Sequence, residues 1–92
     1  MDFKADCSSI LMLLESIKTD NQEFADNVNG VYRVVKELRT KWTDQTSIDF
    51  ESSINTYLGE LINHSKTTES LINSVKDIVE KYYQRDSEAS KI

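Results

Sequence analysis

The residues able to act as acids, bases, nucleophiles or metal ligands are few and scattered along this 92-residue sequence. The single histidine, His64, has no second histidine or cysteine near it, which argues against a metal site. His64 is therefore interpreted as a packing residue with its polar edge satisfied. The single cysteine, Cys7, cannot form an internal disulfide, and its apolar neighbours favour burial over reaction. We expect no catalytic residue, no metal and no cofactor.

The remaining polar residues are typical of solvated helix surfaces. Oppositely charged pairs four residues apart, such as Asp77 and Lys81, give a helix weak support and no chemistry. The sequence has no glycine-rich phosphate loop and no nucleophile elbow. Its net charge of −5, with interspersed basic residues, argues against a nucleic-acid partner or an anionic membrane. These features favour a protein-binding protein over an enzyme.

An apolar stripe predicts the first element, a helix over about 4–42. Apolar residues recur in alternating steps of four and three, as a coiled-coil-like helix requires. The stripe comprises Phe3, Cys7, Ile10, Leu14, Ile17, Asn21, Phe24, Val28, Val31, Val35, Leu38 and Trp42. Its single polar member, Asn21, either sets the register or lies at a hydrated level together with His64 and Thr68. That level is interpreted as a hydrated belt or as a point where the hairpin flexes.

A polar turn over about 43–47 precedes a second helix over about 48–85. Thr46, with Asp49 three residues later, resembles a capping box at the start of that helix. The second stripe comprises Phe50, Ile54, Tyr57, Leu61, His64, Thr68, Leu71, Val75, Ile78 and Tyr82. Folding the chain back pairs Trp42 with Phe50, Val28 with His64, and Asn21 with Leu71. The expected fold is an all-α antiparallel two-helix hairpin in one domain, 1–92, ending in a flexible tail over about 87–92.

Apolar residues beside the two stripes predict a dimer, because we expect them to be exposed on a lone hairpin. The candidates for the dimer interface are Leu11, Tyr32, Leu58, Ile62, Ile72, Val79 and Tyr83. Two hairpins packed as a four-helix bundle would cover them. The partner is either a second copy or a different hairpin. The N-terminus lacks the features of a signal peptide, and no apolar segment approaches the roughly 20 residues of a membrane span.

Several aromatic and acidic residues resemble those of a known family. Trp42 stands at the turn, with aromatic Phe50 and Tyr57 after it, and Tyr82 and Asp86 form a Tyr-x-x-x-Asp pattern near the C-terminus. With these matches the chain resembles the WXG (Esx-type) family, small helical-hairpin substrates of type VII (ESX) secretion. The family has Gly where this turn has Asp44. Glycine permits a positive φ there, and Asp is among the next-best residues, so the turn is expected to survive.

The resemblance implies a function that the residue pattern alone does not. It implies a homodimer or heterodimer with another WXG-like hairpin, made in the bacterial cytoplasm and secreted without a signal peptide. It also implies that Trp42, Tyr82 and Asp86 are recognised by the type VII secretion ATPase, the Trp of one protomer lying near the C-terminal signal of its partner. Trp42 is equally well interpreted as an end layer of the core. The alternative function is a non-exported helical adaptor, or a partner of a larger toxin substrate.

Overall fold

Two long helices form the whole of the described fold. The computed structural model describes residues 3–89, with side chains described as far as Arg85. Helix α1 spans Phe3–Lys41 and helix α2 spans Gln45–Ala89, and residues 3–89 contain no β-strand. The helices pack antiparallel into a rod measuring 73 × 16 × 15 Å. The predicted all-α hairpin is therefore confirmed.

The first helix ends where it was expected to end, but the second begins earlier. Helix α1 agrees with the predicted 4–42 to within one residue, whereas α2 starts at Gln45 and not near 48. The reason is Asp44, whose Oδ1 accepts the backbone N–H of Ser47 at 3.0 Å, as an N-cap does. The prediction of a capping box at Thr46 is wrong by two residues.

Helix α2 also continues further than the sequence suggested. It runs to Ala89, so the predicted end near 85 is wrong, and so is the predicted flexible tail at 87–89. No Pro or Gly follows Gly59, and residues such as Glu and Ala favour continuation of a helix. The rest of the predicted tail, 90–92, lies outside the described residues.

The contact between the helices uses only half of the predicted α1 stripe. Cys7, Val28 and Val35 are buried, at 4–6% exposure. The alternate members are exposed, at 36–47%: Phe3, Ile10, Ile17, Phe24, Val31 and Leu38. In α2 the buried residues are Ser47, Leu58, Ser65 and Ile72, none of which belongs to the predicted stripe. Each helix is rotated about its axis relative to the predicted contact, so that half of the α1 stripe and most of the α2 stripe lie outside it.

The expectation that seven further residues would be exposed on a lone hairpin is wrong. Leu58 and Ile72 are buried, and Leu11, Tyr32, Ile62, Val79 and Tyr83 are half-buried. The Tyr32 hydroxyl lies beside Gly59 of α2, and the Lys4 Nζ lies 5.9 Å from the centre of the Tyr83 ring. These residues line the contact within one chain, because the actual seam is rotated onto them. Dimerisation itself stays a prediction. If it occurs, its interface is expected on the side of the hairpin where apolar side chains remain exposed.

The register between the helices also differs from the expected one. The Asn21 Nδ2 donates a hydrogen bond of 2.9 Å to the Ser65 carbonyl, whereas Asn21 was predicted to face Leu71. His64, expected to face Val28, is exposed. The contact between Trp42 and Phe50 is confirmed, with ring centroids 5.7 Å apart. The predicted register therefore holds at the turn and is wrong by mid-length, because the contact faces are not the predicted stripes.

Candidate functional site

One broad side of the hairpin is apolar along its whole length, and we call it the open face. From α1 it presents the exposed Phe3, Ile10, Ile17, Phe24, Val31 and Leu38. From α2 it presents the exposed Phe50, Tyr57, Leu61, Leu71, Val75, Ile78 and Tyr82. The two sets share one side of the rod, because Ile17 and Phe24 line the same groove as Thr68 and His64 of α2. Helical spacing places the other members of each set above and below these residues.

The rod exposes more surface than a compact protein of the same mass. The chain exposes 7131 Å², whereas a compact monomer of its 10.6 kDa mass exposes about 5,500 Å². A standard protein interface buries about 800 Å² on each partner. The excess surface is about twice that amount, so the elongated shape leaves room for an interface. The open face, with its large exposed apolar side chains, is the main candidate for a functional site.

A groove at mid-length interrupts the open face with polar groups, and we call it the central groove. It is lined by Ile17, Asp20, Asn21, Phe24, His64 and Thr68. The expectation that Asn21, His64 and Thr68 would lie at one level is confirmed. The Asn21 amide is directed at the Ser65 carbonyl, which leaves the exposed imidazole of His64 and the half-buried hydroxyl of Thr68 on the groove. A partner covering the open face would have to accommodate these two polar groups and the exposed carboxylate of Asp20.

The opposite side of the hairpin is more polar, although Met12, Leu13, Val34 and Ile48, which are not part of the open face, are also exposed. Glu15 and Lys76 approach each other at 4.0 Å across the two helices, with both side chains largely exposed. Nearer the turn, Arg33, Lys36 and Asn55 line a groove together with Tyr32 and Glu51. Charged side chains lose hydration when covered, so an apolar partner has little to gain on this side. The asymmetry between the two sides makes the open face the better candidate for a binding surface.

At the turn, a network of hydrogen bonds fixes the position of Trp42. The Trp42 N–H donates to the Leu38 carbonyl at 2.8 Å, and the Trp42 carbonyl accepts from the Arg39 Nη1 at 3.4 Å. The same Nη1 donates to the Ser47 Oγ at 2.7 Å, and that hydroxyl donates to the Asp44 carbonyl at 2.8 Å. The half-buried Trp42 ring packs on Phe50. The turn therefore holds Trp42 in one orientation at the end of the rod.

Asp44 closes this turn by a means different from the one expected. Within residues 3–89 no φ angle is positive, so the backbone at Asp44 does not need the conformational freedom of glycine. Asp44 instead acts as the N-cap of α2. The roles of Arg39 and Ser47 were not predicted from the sequence. The spacing Asp44-x-x-Ser47, an N-cap and the N3 residue it bonds, is the signal that could have located this helix start.

At the other end of the rod, Tyr82 is available to a partner. Its side chain is 53% exposed, and the Arg85 guanidinium lies 5.3 Å from the centre of its ring. Helix α2 continues through position 86, so Asp86 follows Tyr82 by one turn, although the Asp86 side chain lies outside the described ones. Trp42 and Tyr82 lie at opposite ends of a rod 73 Å long. A single chain therefore does not bring the predicted recognition residues together.

Other kinds of site find little support in the described part of the chain. The side chains of residues 3–85 include no group of three His, Cys, Asp or Glu that could hold a metal ion. The predicted burial of Cys7 in the seam is confirmed. Neither α1 nor α2 contains an apolar stretch long enough to cross a membrane.

Three features bear on function: the open face, the hydrogen-bonded turn at Trp42, and the exposed C-terminal part of α2. The first could hold a partner, and the other two could mark the ends of an assembly for recognition. Comparison with known proteins adds no relative: no family model, no curated protein and no solved structure matches this chain.

Proposed function

We propose that this protein is a helical binding module that pairs through its open face with another helical hairpin to form a four-helix bundle. The observation that carries the proposal is the open face itself. Among the side chains of residues 3–85, thirteen large ones on one side of the rod are exposed, while the buried apolar core consists of five residues. A core of five residues is small for a chain of this length, and a second hairpin would supply the missing layer.

The gain from covering the open face is large enough to drive association. Full burial of a Leu, Ile or Phe side chain contributes about 1.5–3 kcal/mol, and the residues of the open face are roughly half exposed at the start. Association must first offset about 4–15 kcal/mol of lost translational and rotational freedom. Thirteen half-exposed side chains contribute roughly 10–20 kcal/mol per chain, which is similar to or larger than that cost. A stable pair is the expected state.

We further propose that the protein is a secreted substrate or a co-secreted helical partner of a type VII (ESX) secretion system. The hairpin with Trp42 at its turn supports this, as does Tyr82 one helical turn before Asp86. In this proposal the protein is made in the bacterial cytoplasm and leaves by a route independent of a signal peptide. Tyr82 and Asp86 form the signal that the secretion ATPase reads, and Trp42 marks the other end of the rod.

Pairing through the open face is tested by placing a charge on it. Leu61→Glu buries a carboxylate in the proposed interface, which costs several kcal/mol when it has no partner. We expect at least a hundredfold weaker association, measured by sedimentation velocity with helicity monitored by circular dichroism. Asn63→Glu, an exposed position two residues away on the outer side of α2, is the matched control. Equal association of the two variants would contradict the proposal.

Export is tested separately, on the C-terminal signal. Replacing Tyr82 and Asp86 by Ala should abolish appearance of the protein in the culture medium while leaving its helicity and its mass in solution unchanged. Gln84→Ala, an exposed position between the two, is the control and should be exported normally. Normal export of the double variant would remove the signal and favour the alternative, a non-exported helical adaptor.

A further inference from the structure

The groove near the turn, on the side of the hairpin opposite the open face, differs in charge from the chain as a whole. The chain carries a net charge of −5, yet four of its 11 basic residues lie within positions 33–41, together with one acidic residue, Glu37. Two of these four, Arg33 and Lys36, line the groove, whose volume is about 320 Å³. We propose that this groove, which we call the basic groove, binds the carboxylates of an acidic peptide segment of a partner protein.

The two basic side chains of the basic groove are not paired with a carboxylate of their own chain. Arg33 and Lys36 are exposed, and among the side chains of residues 3–85 neither takes part in an ion pair. They are three positions apart on α1, which makes them neighbours on one face of the helix. A guanidinium can bind both oxygens of a carboxylate, and an ammonium group beside it can donate a further hydrogen bond. The pair therefore suits a carboxylate that comes from outside the chain.

Two uncharged donors line the same groove, one from each helix. The Tyr32 hydroxyl and the Asn55 amide form no hydrogen bond with the part of the chain that the structure describes. Tyr32 is half-buried, but no buried polar side-chain atom of residues 3–85 lacks a partner, so its hydroxyl is open to solvent. Both groups can donate to a carboxylate or to a main-chain carbonyl of a bound peptide. The donors of the groove thus come from α1 and α2 together.

The acidic residue of the basic groove is already held by a cation of the chain. The Glu51 Oε2 lies 3.4 Å from the Arg39 Nε, and Arg39 is fixed there by its hydrogen bond of 2.7 Å to the Ser47 Oγ. Arg33, Lys36 and Arg39 bring three positive charges to the groove and Glu51 brings one negative charge, a net charge of +2. Opposite charges a few ångströms apart offset each other, so Glu51 does not prevent an anion from binding beside Arg33 and Lys36.

The surroundings of the groove favour a peptide over a nucleic acid. A nucleic acid carries a phosphate at every step and requires cations along its path, whereas residues 44–60 of the adjoining chain contain four acidic residues and no basic one. A peptide with one or two carboxylates needs no such path. The groove is also lined by Val35 and Tyr32, which offer apolar contact to the rest of a peptide.

Binding in the basic groove goes beyond the proposed pairing and export and depends on neither. The groove and the open face lie on opposite sides of the rod, so a chain that is paired through its open face can still bind a peptide. The two surfaces also differ in chemistry, because one offers apolar area and the other offers charge. A partner of each kind can therefore be bound at the same time.

A nuclear magnetic resonance titration tests the basic groove directly. The probe is a short peptide of alternating glutamate and alanine, added to the ¹⁵N-labelled chain. We expect saturable shifts of the Asn55 side-chain amide and the Arg33 Nε–H signals, because these groups would donate to the peptide. The same peptide with glutamine in place of glutamate should bind at least tenfold more weakly, and added salt should weaken the glutamate peptide.

Charge reversal locates the site. Arg33→Glu combined with Lys36→Glu should weaken binding of the glutamate peptide at least tenfold, with helicity unchanged by circular dichroism. Lys66→Glu combined with Lys81→Glu makes the same change in net charge at exposed positions outside the groove and should weaken binding less than about twofold. Glu51→Gln removes the carboxylate of the groove and should tighten binding severalfold.

Four results would overturn the inference. The first is the absence of any shift at millimolar peptide, and the second is equal binding of the glutamate and glutamine peptides. Equal weakening by the two double variants would mean that only the overall charge attracts the peptide. Displacement of the peptide by an equal concentration of inorganic phosphate or of a single-stranded oligonucleotide would assign the groove to a different anion. None of these results bears on pairing through the open face, which Leu61→Glu tests separately.

Discussion

The seam between the helices and the open face differ in how much of their apolar surface a single chain covers. The seam buries Cys7, Val28 and Leu58, whereas Phe24, Tyr57 and the other large side chains of the open face are 36–66% exposed. Apolar side chains that stay exposed add little to the stability of a single chain, because the gain follows the apolar area removed from water. The difference indicates that the seam fixes the geometry of the hairpin, and that the apolar area of the open face is available for association.

A Leu→Ala substitution on each of the two surfaces tests this difference, and the one in the seam should give the largest loss of stability. Leu58→Ala should lower the free energy of unfolding by about 3 kcal/mol, because it leaves a cavity in the seam. Leu71→Ala, at a side chain that is 61% exposed, should cost a dilute single chain less than about 1 kcal/mol. Urea unfolding followed by circular dichroism at low protein concentration measures both.

The stability losses of Leu58→Ala and Leu71→Ala should also depend differently on protein concentration. The cost of Leu71→Ala should grow as the concentration rises and association begins, because binding adds to apparent stability by mass action. The cost of Leu58→Ala should be present at every concentration. If the two variants lost equal stability in the dilute chain, the open face would already be part of the chain's own core.

The centre of the open face should respond to charge more than its surroundings do. His64→Lys places a permanent positive charge in the central groove, where a covering partner would strip its water, and should weaken association at least tenfold. His64→Leu replaces a polar side chain with an apolar one and should tighten association. Sedimentation equilibrium gives both dissociation constants, with Thr67→Lys on the outer side of α2 as the control. An unchanged constant for His64→Lys would mean that the partner does not cover the central groove.

The stability of the protein should fall when the N-cap carboxylate of Asp44 is removed, and it should change little when glycine replaces Asp44. Asp44→Ala removes the carboxylate that accepts the Ser47 N–H and should cost about 1 kcal/mol. Asp44→Gly should cost only a few tenths of a kcal/mol, since glycine is an acceptable N-cap. Thermal unfolding of the two variants distinguishes them. A larger loss with Gly than with Ala would contradict the N-cap role.

The smallest effect is expected at the ion pair beside the turn. The Arg39 Nε lies 3.4 Å from the Glu51 Oε2, and both side chains are about one-third exposed. Glu51→Gln should therefore lower the free energy of unfolding by about 0.5 kcal/mol, and added salt should reduce the difference. A loss above about 2 kcal/mol would mean that the pair is shielded by a partner.

The two helices could be predicted from the sequence because periodicity and the scarcity of glycine and proline determine them locally. The bounds of α1 follow within one residue from the stripe that starts at Phe3. The contact face could not be predicted in the same way. A seven-residue repeat of apolar residues marks a surface that is buried somewhere, and it does not say whether the chain itself or a partner covers it. For that reason the stripes that contain Phe24 in α1 and Tyr57 in α2 predicted a contact between the helices, whereas both residues are exposed.

Only part of the candidate site could be predicted, because some of its contacts depend on how the helices are rotated and not on the sequence pattern. The polar level of Asn21, His64 and Thr68 could be anticipated, because all three interrupt apolar stripes at corresponding positions. The bond from Asn21 to a main-chain carbonyl could not, since it depends on the rotation of both helices about their axes. The network that joins Arg39 to Ser47 likewise crosses the turn and has no periodic signal. The export roles of Trp42, Tyr82 and Asp86 stay predictions.

The hairpin's single bend has a mechanical consequence. Contacts near the turn join residues close in sequence, such as Arg39 and Ser47, whereas those at the open end join residues almost a full chain apart, such as Lys4 and Tyr83. Closure can therefore proceed from the bend outward like a zipper, each step adding only a short loop. Tension on both ends reverses this order and peels the helices apart one layer at a time. A chain that yields in small steps needs only a modest force to thread through a narrow passage.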